Sequence, residues 1–309
     1  MQSLLQNLKT FLKEAKKPPL IIVLGPTASG KTGLSIALAQ KFNGEIISAD
    51  SRQIYRGMDV GTDKISAKDA QGIKHYMIDI KSPDQTFTMA DFQRESTYSI
   101  KEILNKGKIP FLVGGTGLYI NAIAENYQLN NAPPDTSLRA ELEKELEKQG
   151  AEHMHKMLSE LDPLSASKIH PNNHRYLIRA LEINLKTKQT KSNSKGESKY
   201  EIFKIGINWP REELYERINS RVDEQIDRGI LNEIKTLLDQ GYSRNLPAMS
   251  GLGYKEFFPY LDGEKPLEEC LEDLKQATRN YAKRQITWFG RDDTIYWISP
   301  REAEEVKRS

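Results

Sequence analysis

Short apolar runs alternate with longer mixed stretches through the first third of the chain. Residues 20–24 (LIIVL) read as a strand, and a helix is expected over about 32–42. Residues 45–49 form a second short strand ending at Asp50, and 75–80 a third apolar stretch. A helix is expected over about 89–105, followed by a strand at 108–113 that ends in Gly114-Gly115-Thr116-Gly117. Strands separated by helical segments imply βαβ units and a parallel sheet. Ligands of such sheets lie at the carboxyl ends of strands. Polar clusters follow the strand ends at 25–32, 50–53 and 114–116, and they are expected to converge on one crevice.

The middle of the chain has a different texture. Residues 130–135 (NNAPPD) break regular structure, and a charged helix is expected over 137–150, with Glu and Lys spaced for solvent-exposed pairs. Helical stretches to about residue 159 and over about 173–186 follow, and the polar segment 187–200 reads as a mobile loop. Residues 130–199 are therefore read as a small helical insertion. Strand-like residues 203–208 return the chain to the sheet, long helices fill 211–240 and 266–289, and 294–298 form a last strand.

Composition narrows the classes. With 309 residues the chain can form one large or two ordinary domains. Its net charge of +2 gives no overall argument for nucleic acid, though a local basic surface remains compatible with it. No apolar run is long enough for a membrane span, and the first residues lack a signal-peptide pattern, so a cytoplasmic chain is expected. The single cysteine, Cys270, excludes an intramolecular disulfide and a zinc site built on several cysteines. It reads as a buried helix residue. The histidines His153, His155, His170 and His174 form no convincing metal set, because Pro171 interrupts a helix that would carry the last two.

The cluster at 25–32 is a complete P-loop: Gly25, Pro26, Thr27, Ala28, Ser29, Gly30, Lys31 and Thr32. Its glycines let the backbone curl so that N–H groups point at phosphate oxygens. Lys31 adds a point charge, the Thr32 hydroxyl can hold Mg²⁺, and the following helix offers its positive end to the same anion. The fold class is then α/β: a P-loop NTPase-like parallel sheet flanked by helices (1–129 and 200–309), with the helical insertion at 130–199. The loop alone does not say which phosphate is held or which bond breaks.

Asp50, just after a strand, reads either as a general base or Mg²⁺ partner, or as a helix cap. Thr116 reads as a hydrogen-bond donor to substrate or a cap, and both roles can coexist. The basic residues Arg175, Arg179, Lys186 and Lys188, and Arg279, Lys283, Arg284 and Arg291, read as solvated faces or as nucleic-acid contacts. Arg175 and Arg179 are about one helical turn apart, so both can reach one RNA strand. Tyr281 and Trp288 read as core.

Taken together, the P-loop, the segment 48–62 (SADSRQIYRGMDVGT) and 112–119 (LVGGTGLY) resemble the bacterial tRNA dimethylallyltransferases. So do residues 169–173 (IHPNN), 179–182 (RALE), 251–255 (GLGYK) and 283–288 (KRQITW), all in the family order. This resemblance implies transfer of a dimethylallyl group from its diphosphate to N6 of adenosine 37, beside the anticodon. It assigns the P-loop to a diphosphate leaving group, Asp50 to removal of the N6 proton, Thr32 to Mg²⁺ or the diphosphate, and Arg221 to the diphosphate. It assigns to the tRNA anticodon stem-loop Asp50, Ser51, Arg52, Gln53, Thr116, Arg139, Arg175, Tyr176, Leu177, Ile178 and Arg179. Gly253, Tyr254, Lys283, Arg284 and Gln285 join that set. The cofactor is then Mg²⁺, no membrane is involved, and a monomer is expected. A P-loop small-molecule kinase, a prenyltransferase acting on free AMP or ADP, and a non-catalytic RNA-binding module are the other readings.

Overall fold

The structure is a computed structural model that describes residues 3–129, 135–187 and 194–308. Most of the predicted breaker (130–134) and part of the predicted loop (188–193, with Lys188) lie outside the described residues. The chain divides into two compact units, residues 1–124 with 198–309, and residues 125–197.

The first unit begins with α1 (Leu4–Glu14), capped where the Ser3 hydroxyl accepts from the Gln6 N–H. Next come β1 (Pro19–Leu24), α2 (Lys31–Lys41), β2 (Gly44–Ala49) and β3 (His75–Tyr76). A capping box of Thr88 and Asp91 starts α3 (Met89–Asn105), which leads to β4 (Ile109–Gly114) and α4 (Gly117–Ala124). The second unit contains β5 (Tyr127–Gln128), α5 (Thr136–Gln149), α6 (Ala151–Leu161), α7 (Pro163–Ala166), α8 (His174–Thr187) and β6 (Ser194–Lys195). The chain re-enters the first unit through β7 (Glu201–Ile207), α9 (Arg211–Asp227), α10 (Ile230–Asp239) and α11 (Phe258–Leu261). It ends with α12 (Leu267–Phe289), β8 (Ile295–Ile298) and α13 (Pro300–Arg308).

Among the described residues the large sheet runs β3-β2-β4-β1-β7-β8, with every pairing parallel. β1 lies inside it, and its alternate side chains feed two cores. Ile21 and Val23 pack with α1, α2 and α13, while Leu20, Ile22 and Leu24 pack with α3 and α4. A strand buried on both faces has no polar position to turn to water, which is why its sequence is uniformly apolar. The register then aligns the strand ends: Leu24 pairs with Gly114, and Gly114 with Ala49. The residues that follow them therefore leave the sheet side by side. The second unit has its own core, with Leu142, Met154, Leu158, Leu177 and Leu181 buried together.

Some expectations change. The stretch 211–240, expected to be filled by long helices, holds α9 and α10, divided at Gly229, which takes a left-handed φ of 88°. The apolar stretch 75–80 pairs only at His75 and Tyr76, because Met77 and Asp79 turn to positive φ. The end of the expected loop is not irregular, since Ser194 and Lys195 pair antiparallel with Gln128 and Tyr127. The helices α1 and α13 were not anticipated, although both bury residues in the core of one sheet face. The dependence on α1 is measurable. Leu8 is 0% exposed, and Leu8→Ala is expected to lower stability by about 2–5 kcal/mol in urea unfolding; an unchanged midpoint would show that α1 is dispensable to the core.

Candidate active site

The P-loop leaves β1 and closes on α2 through Gly30, which takes a left-handed φ of 85°. Ala28 also takes a positive φ of 61°, a strained value that outside contacts hold in place. Trp209 Nε1 donates to the Ser29 carbonyl at 2.9 Å, and Arg217 Nε donates to the Ala28 carbonyl at 2.9 Å. With these carbonyls engaged by α9 and the end of β7, the loop is shaped to present N–H groups to an anion.

Gln285 of α12 ties this loop to the neighbouring strand end. Its Oε1 accepts from the Thr27 N–H at 2.9 Å, and its Nε2 donates to the Gly115 carbonyl at 2.9 Å. The fit is tight at Gly115, where any Cβ would overlap the Gln285 amide. Gln285 is thus a buried staple between loops, whereas the resemblance assigned it to tRNA.

The three strand-end clusters do meet. Thr27, Lys31, Thr32, Asp50, Gln53, Gly114, Gly115, Arg221, Tyr281 and Gln285 all line one cavity. Lys31 Nζ donates to the Pro26 carbonyl at 3.1 Å. Burial, and then the Arg221 cation, pull its ammonium down to about 8. Arg221, on α9, donates to the Thr27 hydroxyl at 2.9 Å and sits 3.4 Å from Asp63. Asp63 also pairs with Arg228 at 2.7 Å. Burial works against the Asp63 carboxylate, yet Arg221 and Arg228 hold it below its ordinary range.

Asp50 does act as a local cap: its Oδ1 accepts from the Arg52 N–H at 2.8 Å and the Gln53 N–H at 3.4 Å. That fixes the carboxyl group, which also lines the cavity. Gln53 is held by the Ser48 hydroxyl at 2.8 Å and donates to the Thr62 carbonyl at 3.2 Å. Ser51 is half-buried, and Arg52 is tied to the Pro247 carbonyl and to the Ser250 hydroxyl at 3.4 Å. Thr116 precedes α4, its carbonyl accepting from the Tyr119 N–H at 2.9 Å. The Tyr281 hydroxyl bonds the Thr116 side chain, and burial, with Asp50 nearby, pushes its pKa up to about 12.

The remaining expected tRNA residues divide by exposure. Lys283 and Arg284 are exposed on α12, with the Arg284 guanidinium 5.7 Å from the Tyr281 ring centre. Tyr254 is fully buried and its hydroxyl donates to Glu233 at 2.7 Å, which makes it a core residue; the adjacent Gly253 takes a φ of 91°. Trp288, expected in the core, is 39% exposed. Tyr281, also expected in the core, lines the cavity. Within the second unit, Arg175 and Tyr176 are exposed, whereas Leu177 and Ile178 belong to its core. There the buried Glu182 carboxylate binds Arg139 at 2.7 Å, Arg179 at 2.9 Å and the Asp135 N–H at 2.6 Å.

Asp63, Trp209, Arg217 and Arg228 enter the site's structure without having been singled out in the sequence. Trp209 had a usable signal, since it lies just past the end of β7 as the other clusters lie past theirs. Arg217 had one too, at one helical turn from Arg221. Among the described residues no group of three or more His, Cys, Asp or Glu side chains could hold a metal ion.

The chain is similar to known proteins over nearly its whole length. It is 46% identical to the tRNA dimethylallyltransferase of Acetivibrio thermocellus, covering 94% of each chain. The crystal structure of the tRNA isopentenylpyrophosphate transferase from Bacillus halodurans superposes with a TM-score of 0.71 at 43% identity, over 94% of this chain and 95% of that one. A eukaryotic dimethylallyltransferase caught acting on tRNA gives a TM-score of 0.76 at 31% identity, over 91% of this chain and 74% of that one. Residues 53–292 match the family described as IPP transferase, and the chain belongs to that family.

Proposed function

We propose that this chain transfers a dimethylallyl group from dimethylallyl diphosphate to N6 of adenosine 37 of tRNA and releases diphosphate. One observation carries the mechanism: a fixed carboxylate, Asp50, shares a cavity with the phosphate-type cations Lys31 and Arg221. A base and a leaving-group cradle in one cavity suit a displacement at carbon. An adenine N6 amine is a poor nucleophile, because its lone pair is delocalised into the ring. Asp50 accepts the amine proton as the carbon–nitrogen bond forms. The carbon–oxygen bond to diphosphate breaks at the same centre, and the P-loop N–H groups, Lys31 and Arg221 take up the charge that develops on the departing oxygen. The relatives do not favour the kinase reading, in which Asp50 would have to direct attack on phosphorus.

The donor set fits Mg²⁺ held mainly by diphosphate and water. Thr32 lines the cavity, and such ions need few protein ligands. Bound there, the ion would neutralise diphosphate charge. The target base must leave the anticodon stack to reach the cavity, at about a few kcal/mol. Exposed Lys283, Arg284 and Arg175 supply phosphate contacts, and the exposed rings of Trp288 and Tyr176 supply stacking surfaces. We read the chain as a monomer that works in the cytoplasm, where a tRNA substrate is met.

Two measurements test this reading. Asp50→Asn keeps an oxygen to accept from the Arg52 N–H but removes the base. It is expected to lower kcat by about 10²- to 10⁴-fold with tRNA affinity kept, and near-normal turnover would place the base elsewhere. The second reads the depressed Lys31 ammonium. Its free pKa of about 8 rises when an anion binds, so binding at pH above 8 takes up a proton and affinity falls as pH rises through that range. Calorimetry of inorganic diphosphate in buffers of different ionisation enthalpy should show that uptake, and Lys31→Met should lose it; identical uptake in both proteins would assign the proton to another group.

A further inference from the structure

We propose that Lys307, on the C-terminal helix α13, is a further anion-binding residue of the prenyl-donor site. It would form with Arg217 an outer cationic lip of the P-loop that receives the diphosphate of the donor. The inference rests on the prenyl-transfer reading above.

The geometry starts from two glycines. Gly30 and Gly33 expose bare backbone at the start of α2, and α13 packs along that helix. A Cβ placed on Gly33 would stand 3.1 Å from Lys307 Cε and 3.3 Å from its Nζ, so the lysine stem lies directly on that glycine. A Cβ on Gly30 would stand 3.9 Å from Lys307 Nζ and 4.0 Å from Arg217 Nη2. Two cations from distant parts of the chain thus converge on the glycine that opens the phosphate-binding helix.

Their environment keeps them there. The Arg217 guanidinium stacks 4.4 Å from the Trp209 ring centre and donates to the Ala28 carbonyl, which fixes it against the loop. Lys307 is paired with Glu304 at 2.6 Å, and the Glu304 carboxyl is held below its ordinary range first by Lys307, with Arg308 and Arg217 adding to the effect. One carboxylate faces three cations, so the lip keeps a net positive charge.

Position separates this lip from the catalytic cavity. Arg221 lines the cavity, whereas Arg217, one turn earlier on α9, and Lys307 do not. α9 therefore offers one arginine inside the loop and one outside it. An organic diphosphate spans more than one phosphate and carries several negative charges at neutral pH. A positive lip outside the loop concentrates such an anion near the loop before it seats against Lys31 and Arg221. The same cations could meet a tRNA phosphate instead, and the experiment distinguishes the two.

The test uses full-length Lys307→Met and Lys307→Arg, with dimethylallyl diphosphate and tRNA varied separately. The methionine keeps the stem against Gly33 and removes the charge; the arginine restores charge. The expected result is a five- to twentyfold rise in donor KM for Lys307→Met, with tRNA KM and kcat within twofold. The Kd of inorganic diphosphate should rise to match, and Lys307→Arg should recover most of both effects. An unchanged donor KM in an active Lys307→Met protein would overturn the proposal, as would a rise in tRNA KM alone or equal losses in both lysine variants. If the unsubstituted protein forms no prenylated tRNA, the prenyl-transfer reading fails first, and the diphosphate Kd still reports on the lip.

Discussion

Positive charge gathered at the end of a strand buried on both faces is the constraint on which this structure turns. Burial disfavours the Lys31 ammonium most, and the Arg221 cation adds to that cost. A fall from the ordinary lysine value to about 8 corresponds to roughly 3 kcal/mol against the charged form. An anion that enters the loop removes that penalty. On the proposed reading the free protein is poised for the diphosphate, with the cost met in folding, before the ligand arrives.

Holding such a site requires that nothing near it relax. Contacts from outside the loop pin it: Trp209 and Arg217 on its carbonyls, and Gln285 on the Thr27 N–H. These residues lie far apart in sequence and are brought together by the parallel sheet, whose register sets the ends of β1, β2 and β4 in one row. Asp50 is fixed by the same logic, with its Oδ1 held by two backbone N–H groups one turn on. Lys31 and Asp50 thus follow separate strand ends and Arg221 stands on α9, with little freedom to collapse onto one another. Proximity of this kind, settled in advance, is a large part of what a displacement reaction needs.

How far the sequence revealed this depends on the range of the signal. The strand runs and the P-loop are local patterns, and the structure has them within a residue or two: β1, β4 and β8 fall where the apolar runs predict. Asp50 and Gly115 were legible as strand-end residues because parallel sheets put ligands there. The roles of Gln285 and Asp63 were not, since a staple to Gly115 and a bridge to Arg221 depend on contacts across long stretches of chain. Tyr254 was misplaced for the same reason, as a motif carries residue identity and says nothing of which way a side chain faces. Trp288 was misplaced because a tryptophan on an amphipathic helix reads as core unless its helix face is known. α1 did carry a local signal, since Leu4, Leu5, Leu8, Phe11 and Leu12 repeat at helical spacing, and it was passed over.

The second unit treats its arginines differently, and the difference bears on recognition. Glu182, buried and held below the ordinary carboxylate range by Arg139, the Asp135 N–H and Arg179 despite its burial, fixes both guanidinium groups. Pairing with a carboxylate offsets their charge, so these residues add less to a long-range field. What they gain is orientation. A guanidinium already fixed in its plane loses less rotamer freedom when it meets a phosphate or a base edge. Arg175 on the same helix is exposed. A chain whose net charge is only +2 can therefore recognise a polyanion by a few placed cations, with less dependence on a broad basic surface.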